Sequence, residues 1–152
     1  MISTDIVIPI WERTSSKEIN DSLNSLKKEI DLITKVIIIC DGENSFFKNL
    51  KEYKKINEKI LIIYIKKNVG PGIARNIGAT FSKSENLLFL DAGDICINNR
   101  VNFQIKALKK NYVSVGAINE KNSIGVNRLK FSCKSYSLAR SFLPYKNPFN
   151  NV

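Results

Sequence analysis

Histidine is missing altogether from the 152 residues, which removes Ser-His-Asp and Cys-His nucleophilic catalysis, imidazole metal ligation and histidine proton shuttling in one step. Acid-base or metal chemistry in this chain falls to carboxylates. Cysteine is scarce: Cys40, Cys96 and Cys133 are widely separated, odd in number and without a CxxC spacing. That pattern speaks against a disulfide framework or a zinc site and for buried thiols in a reducing compartment. Long apolar runs are lacking too. The longest, near Val36 to Cys40 and Ile60 to Ile65, are strand-length and far short of the roughly 18 residues that a membrane-spanning helix needs. Residues 1 to 10 lack the basic start and long apolar stretch of a secretory signal, so the cytoplasm is the expected location.

Acidic residues are also few, 14 against 24 basic ones, for a net charge of +10. Such an excess favours polyanionic partners: nucleic acid, phosphorylated ligands or an anionic membrane surface. Arginine accounts for only Arg13, Arg75, Arg100, Arg128 and Arg140, and no aromatic-plus-arginine recognition motif accompanies the charge. The excess therefore reads as solvated lysine on helix faces, and no nucleic-acid partner is expected. What is present in ordinary measure is core-forming residue, 43% apolar against 25% charged, as in one globular unit of this length. No internal repeat, linker or low-complexity segment interrupts it.

The order of segments alternates. Asp5 to Ile10 is a short apolar run whose Pro9 suits a strand's end better than its middle. Ser15-Ser16-Lys17-Glu18 forms a capping box, followed by Ile19, Leu23, Leu26 and Ile30 at helical spacing. Lys35 to Cys40 contains Val-Ile-Ile-Ile without polar alternation, the mark of a parallel strand buried on both faces. Phe46, Phe47, Leu50 and Tyr53 suggest a second helix, and Lys59 to Ile65 a third strand. Ile73, Ile77 and Phe81 predict a helix after the break at Gly70-Pro71-Gly72. Asn86 to Leu90 reads as a fourth strand. Asn98 or Asn99 can cap a helix through Lys110 with Val101, Ile105 and Leu108 inward, and Tyr112 to Ala117 reads as a further strand. Beyond Glu120 the pattern weakens: Ser123 to Cys133 reads as a strand pair and Pro144 to Val152 as loop. The alternation predicts an α/β sandwich with a mostly parallel sheet.

In such sheets ligands bind beyond the carboxyl ends of the strands. Those ends carry Trp11-Glu12-Arg13, Asp41-Gly42-Glu43, Asn68-Val69-Gly70-Pro71-Gly72 and Asp91-Ala92-Gly93-Asp94. Asp91 and Asp94 can hold a hard divalent cation shared with substrate phosphates; they are equally an Asp-Gly turn with Asp94 capping the next helix. Asp41 has the same two readings. Gly70-Pro71-Gly72 can expose backbone N–H groups to a phosphate but is neither a P-loop nor GxGxxG. Arg75 and Asn76 either meet a ligand's phosphate or pair with rim carboxylates.

Taken in order, Ile-Val-Ile-Pro-Ile near the start, Val-Ile-Ile-Ile-Cys-Asp-Gly, Asn68-Val-Gly-Pro-Gly-Ile-Ala-Arg-Asn-Ile-Gly78, Leu-Phe-Leu-Asp-Ala-Gly-Asp94, then Arg100 and Gln104, resemble the nucleotide-binding half of family 2 glycosyltransferases. The match covers residues 4 to about 110, and Lys146-Asn147-Pro148-Phe149-Asn150 resembles a later loop of the capsule and exopolysaccharide branch. The resemblance implies a GT-A fold, a Rossmann-like three-layer α/β/α sandwich. Residues 1 to 118 would form the nucleotide-sugar donor-binding region, and 119 to 152 an incomplete start of the acceptor region.

Residue by residue, the resemblance implies that Asp41 meets the nucleotide base, usually uracil, and that Pro9, Ile10, Trp11 and Glu12 form the loop around the nucleoside. Asn68, Gly70, Arg75 and Asp91 complete the nucleotide-binding set. Asp94 would ligate Mn2+ or Mg2+ with Asp91 in support. The chain departs from the pattern at Gly93, where many members carry the aspartate credited with the ribose contact, and at Cys40, where aspartate is common. The implied reaction is inverting transfer of a sugar from a nucleotide diphosphate, a UDP-sugar by expectation, to a saccharide or lipid-linked saccharide in surface polysaccharide synthesis. A carboxylate base would take the acceptor's proton. After Asp94 only Glu120 is acidic, with no base motif around it, so the chain reads as an amino-terminal piece without the base. The alternatives are a nucleotide-sugar binding module without turnover, or a nucleotidyltransferase on a similar fold, which would need a glycine-rich basic loop after the first strand. Lys51, Lys54, Lys55 and Lys59 would favour peripheral contact with an anionic inner membrane face.

Overall fold

The computed structural model describes residues 3–43, 47, 50, 53, 58–97, 99–109, 117–121 and 127–131. The chain divides into two compact units, 1–102 and 103–152. Cys133, the loop at 146 to 150, and Lys51, Lys54 and Lys55 lie outside the described residues, as does most of the helix expected over Phe46 to Tyr53; Phe47 and Leu50 are buried.

The first unit is built on a parallel sheet of four strands in the order β3-β2-β1-β4: β1 (Thr4–Trp11), β2 (Lys35–Asp41), β3 (Ile60–Ile65) and β4 (Asn86–Phe89). The β-branched runs form these strands because both faces are covered. On one face Val7, Ile37 and Ile39 are buried with Ala74, and Leu61, Ile63, Ile65, Leu87 and Phe89 pack against them. The alternate residues Ile6, Ile8, Ile10, Val36, Ile38 and Cys40 are equally buried and line the other face. Burial pushes the Cys40 thiol up to about 12.

Pro9 lies inside β1 rather than at its end, opposite Ile39. Leu90 N donates to the Val7 carbonyl, so odd-numbered residues of β1 turn their polar groups toward β4, and pairing with β4 stops at Val7–Phe89. The N–H that proline lacks is the one that would donate next, to the Leu90 carbonyl, so the β1–β4 ladder ends at this point while pairing with β2, made through the even-numbered residues, continues to Trp11.

Helix α1 (Ser16–Leu26) starts with the expected capping box: Ser15 Oγ accepts from Glu18 N, and the Glu18 carboxylate accepts from Ser15 N at 2.7 Å. The Ser15 N–H first, and the Ser15 hydroxyl second, both donating to the Glu18 carboxylate, hold it below its ordinary pKa. From Lys27 to Leu32 the chain tightens into a 3-10 helix ended by Lys59, whose Nζ donates to the Ile30 and Ile33 carbonyls at 2.7 and 2.8 Å. The lysine expected at a membrane surface thus closes a helix end. Ser22 and Glu29 are more deeply buried than Leu23 and Ile30, so the buried face of α1 and its extension is partly polar.

Helix α2 (Pro71–Phe81) departs from its expected stripe. Ile73 is 54% and Phe81 43% exposed, while Ala74 and Gly78 are buried. The helix lies so close to the sheet that a Cβ on Gly78 would stand 2.4 Å from Val7 Cγ1 and 3.2 Å from Ile39 Cγ1; only small residues fit there. The right-handed crossovers β1-α1-β2 and β3-α2-β4 run in opposite directions along the sheet, which puts the two helices on opposite faces. This is the expected α/β/α layering.

Helix α3 (Arg100–Leu108) is shorter than expected. Its first N–H groups, from Val101 and Asn102, donate to the buried Glu29 carboxylate at 3.2 and 3.0 Å; Asn99, at φ +65, lacks the extended backbone of a capping residue. In the second unit Ala117–Lys121 (β5) pairs antiparallel with Asn127–Phe131 (β6). The strand pair expected within Ser123 to Cys133 is therefore one strand of a hairpin whose other strand lies earlier. Residues 112–116 of the expected strand are outside the described set.

Candidate functional site

Successive crossovers carry the chain from β1 outward to β3 and then back past β1 to β4. The strand order reverses at β1, and in open parallel sheets ligands bind outside the carboxyl ends of the strands at such a reversal. The residues that end or follow β1, β2 and β4 all lie at that carboxyl edge, with Trp11 directly opposite Asp41.

The turn after β1 is closed twice: Thr14 N donates to the Trp11 carbonyl at 2.9 Å, and Trp11 N to Thr14 Oγ1 at 3.0 Å. It leaves Trp11 and Glu12 exposed at the edge, with the Arg13 guanidinium 5.1 Å above the Trp11 ring, a cation–π contact. Ile10 is buried in the core, so it meets the edge through its backbone alone; Pro9 is half-buried.

Asp41 ends β2 opposite Trp11 and is only 3% exposed. Its two carboxylate oxygens accept from Val69 N at 2.7 Å and Gly70 N at 2.9 Å, while Asn68 Oδ1 also accepts from Gly70 N at 3.1 Å. This aspartate therefore fixes the entrance to α2, where Gly70 takes φ +84, a region L side chains avoid. Asn68 itself is exposed.

From the second turn of α2, Arg75 Nη2 donates to both carboxylate oxygens of Asp91 at 2.6 Å, so of the two alternatives for Arg75 the rim carboxylate is the one found. Asp91-Ala92-Gly93-Asp94 turns with Asp94 N donating to the Asp91 carbonyl at 3.0 Å and Gly93 at φ +94, the combination a type II turn requires. This accounts for glycine at the third position. Asp94 is half-buried, and burial first and the Asp91 charge second raise its pKa, against an opposing pull from Arg100. Among the described residues no side chain donates a hydrogen bond to its carboxylate, and no cluster of three or more metal-ligating side chains exists. A hard cation that takes one or two protein carboxylates and fills its remaining positions with phosphate and water oxygens fits this donor set; Asp94 can offer both oxygens, and Asp91, whose oxygens each accept from Arg75, keeps further lone pairs to support it.

Composition and spacing did not mark Ser22, Ser25 and Glu29. Ser22 Oγ accepts from Gly93 N at 2.9 Å and donates to the Asp94 carbonyl at 2.9 Å; Ser25 Oγ accepts from Cys96 N at 2.9 Å. Their signal was polar residues at 22, 25 and 29 on the buried side of an amphipathic helix, where a solvated serine or glutamate would be out of place.

A sequence model described as Glycosyl transferase family 2 matches residues 5–150. The chain belongs to that family. A glycosyltransferase of Rickettsia bellii is 30% identical over 108 residues, covering 70% of this chain and 15% of the relative. The amylovoran biosynthesis glycosyltransferase AmsE of Erwinia amylovora is 26% identical over 153 residues, covering 97% of this chain and 57% of the relative. The chain thus spans a small part of the first relative's length and somewhat more than half of the second's. Among solved structures, S. aureus TarS 1-349 in complex with UDP-GlcNAc superposes with a TM-score of 0.61 at 20% identity, over 73% of this chain and 32% of TarS; the fold is that of the GT-A glycosyltransferases. No described helix is long and apolar enough to cross a membrane.

Proposed function

We propose that this chain is the donor-binding part of an inverting glycosyltransferase that takes a sugar from a nucleotide diphosphate, a UDP-sugar in the first instance, for surface polysaccharide synthesis. The observation that carries the reading is the hydrogen-bonded rim at the chain reversal: Asp41 on Val69 and Gly70, Arg75 on Asp91, and Asp94 beside it, in a family 2 chain.

In this reading the exposed Trp11 face and the loop of Pro9, Ile10 and Glu12 enclose the nucleoside, and Asp41 meets the base while keeping Asn68 and Gly70 in place. Arg75 keeps Asp91 oriented toward the sugar-phosphate side. Asp94 is the residue to hold Mn2+ or Mg2+, and a cation bound there offsets charge that grows on the departing diphosphate. No residue of this chain is assigned as the base. Residues 1–118 form the donor region and 119–152 begin the acceptor region, for a saccharide or lipid-linked saccharide at the inner face of a membrane.

Calorimetric titration of UDP and a UDP-sugar, each with and without Mn2+, tests the reading. Binding that Mn2+ strengthens is expected; no heat in any of the four titrations would sink it.

A further inference from the structure

Glu18, Ser22 and Ser25 are spaced by four and three residues along α1 and so share one face. All three touch the backbone of the 91–96 loop: the Glu18 carbonyl accepts from Gly93 N at 3.3 Å, Ser22 Oγ bonds Gly93 N and the Asp94 carbonyl, and Ser25 Oγ accepts from Cys96 N. Ser25 Oγ also donates to the Ser22 carbonyl at 2.6 Å. The loop itself is in no strand. Among the described residues, α1 supplies the hydrogen bonds to the backbone N–H of Gly93 and the carbonyl of Asp94.

Ser22 is 0% exposed. A hydroxyl sealed from water loses stability unless it is paired, and here one hydroxyl serves two main-chain groups, one on either side of the Gly93-Asp94 pair. With both ends of that dipeptide tied, the backbone of Asp94 and hence the direction of its Cβ are set by α1. The close approach is visible at Gly93 as well, where a Cβ would stand 3.3 Å from Glu18 Cγ.

We infer that Ser22 is a positioning residue for the donor site: through the Gly93 N–H and the Asp94 carbonyl it aims the Asp94 carboxylate at the cation and diphosphate. This rests on the donor-site reading above. Removing a group that orients a metal ligand lowers metal affinity by about 10- to 100-fold in general, without touching the nucleoside end of the site.

The test uses the full chain and its Ser22→Ala variant, with free Mn2+ followed by electron paramagnetic resonance in the presence of UDP, UDP binding by calorimetry without metal, and a thermal melt for folding. The expected result is a cooperatively folding variant whose Mn2+ affinity falls about tenfold while metal-free UDP affinity stays within about twofold. Unchanged Mn2+ affinity, or equal losses with and without metal, overturns the positioning role. If Ser22→Ala does not fold, Ser25→Ala is read by the same comparison. Failure of the unmodified chain to bind UDP under either condition overturns the donor-site reading instead, and is seen before any variant is made.

Discussion

Arg75 holds Asp91 through a single nitrogen, Nη2, which donates to both carboxylate oxygens at 2.6 Å and joins α2 to the loop after β4. The pair is 14% and 31% exposed, so solvent screens part of its strength. Asp91→Asn and Arg75→Lys are each expected to lower stability by about 1 kcal/mol in urea unfolding, lysine being no substitute for a planar guanidinium. The double variant should cost scarcely more than either single change, since both remove one interaction; additive losses would show that the two residues act separately.

Asp41 is the stronger structural lever. In Asp41→Asn one carboxylate oxygen becomes an NH2 that cannot accept from Val69 or Gly70, leaving a buried donor unpaired. A loss of about 1 to 3 kcal/mol is expected, measured by urea unfolding, together with weaker UDP binding. A variant as stable as the parent would mean that the Asn68-Gly70 segment does not depend on these bonds.

Two glycines of α2 should respond oppositely. Gly78→Ala drives a methyl into Val7 and Ile39 and should cost about 1 to 3 kcal/mol. Gly72 has nothing within 4 Å of its would-be Cβ, so Gly72→Ala should be neutral or stabilise by up to about 1 kcal/mol. Denaturation midpoints of the two variants decide it, and similar shifts would contradict the packing described for α2.

Acid should release the cation early. The Asp94 pKa lies above the ordinary aspartate value through burial and the Asp91 charge; the folded state therefore holds this proton more tightly than the unfolded chain. Between the ordinary and the raised value stability falls as pH rises, and Asp94→Asn should raise the melting temperature at neutral pH. For the same reason Mn2+ competes with a proton on Asp94, so the Mn2+-dependent part of UDP binding should fade on acidification before the ordinary aspartate range is reached. Calorimetry across a pH series checks this; a constant Mn2+ effect down to that range would remove Asp94 as the ligand.

Much of this was readable along the chain because it is local. Val36 to Cys40 carries no polar residue, and a strand without alternation has to be covered on both faces, which means a parallel sheet with helices on either side. Ser15 and Glu18 form their capping box from residues three apart. The carboxylates and glycines that end the strands were recognisable because turns at a sheet edge need them whether or not a ligand binds.

Other features depended on distances no local pattern encodes. Pro9 sits inside a strand because its missing N–H falls on the β4 side, where the ladder ends, while β2 goes on pairing as far as Trp11; Ile73 and Phe81 point outward because α2 lies too near the sheet for anything larger than Ala74 and Gly78 on its inner side. Ser22, Ser25 and Glu29 look like ordinary polar helix positions until residues about 70 positions away in the sequence bring unpaired N–H and carbonyl groups against them.

Chemical type was thus written in the residues: with no histidine and with aspartates closing β2 and following β4, carboxylate and cation chemistry was the one course left. Which of those carboxylates is free was not, since Asp41, Asp91 and Asp94 are the same side chain until folding surrounds each differently. The fold gives Asp41 two backbone donors and Asp91 an arginine, and leaves Asp94 half-buried beside a like charge. Hydrogen-bond partners and dielectric surroundings are properties of neighbours in space, and those neighbours come together only when the sheet reverses its direction at β1.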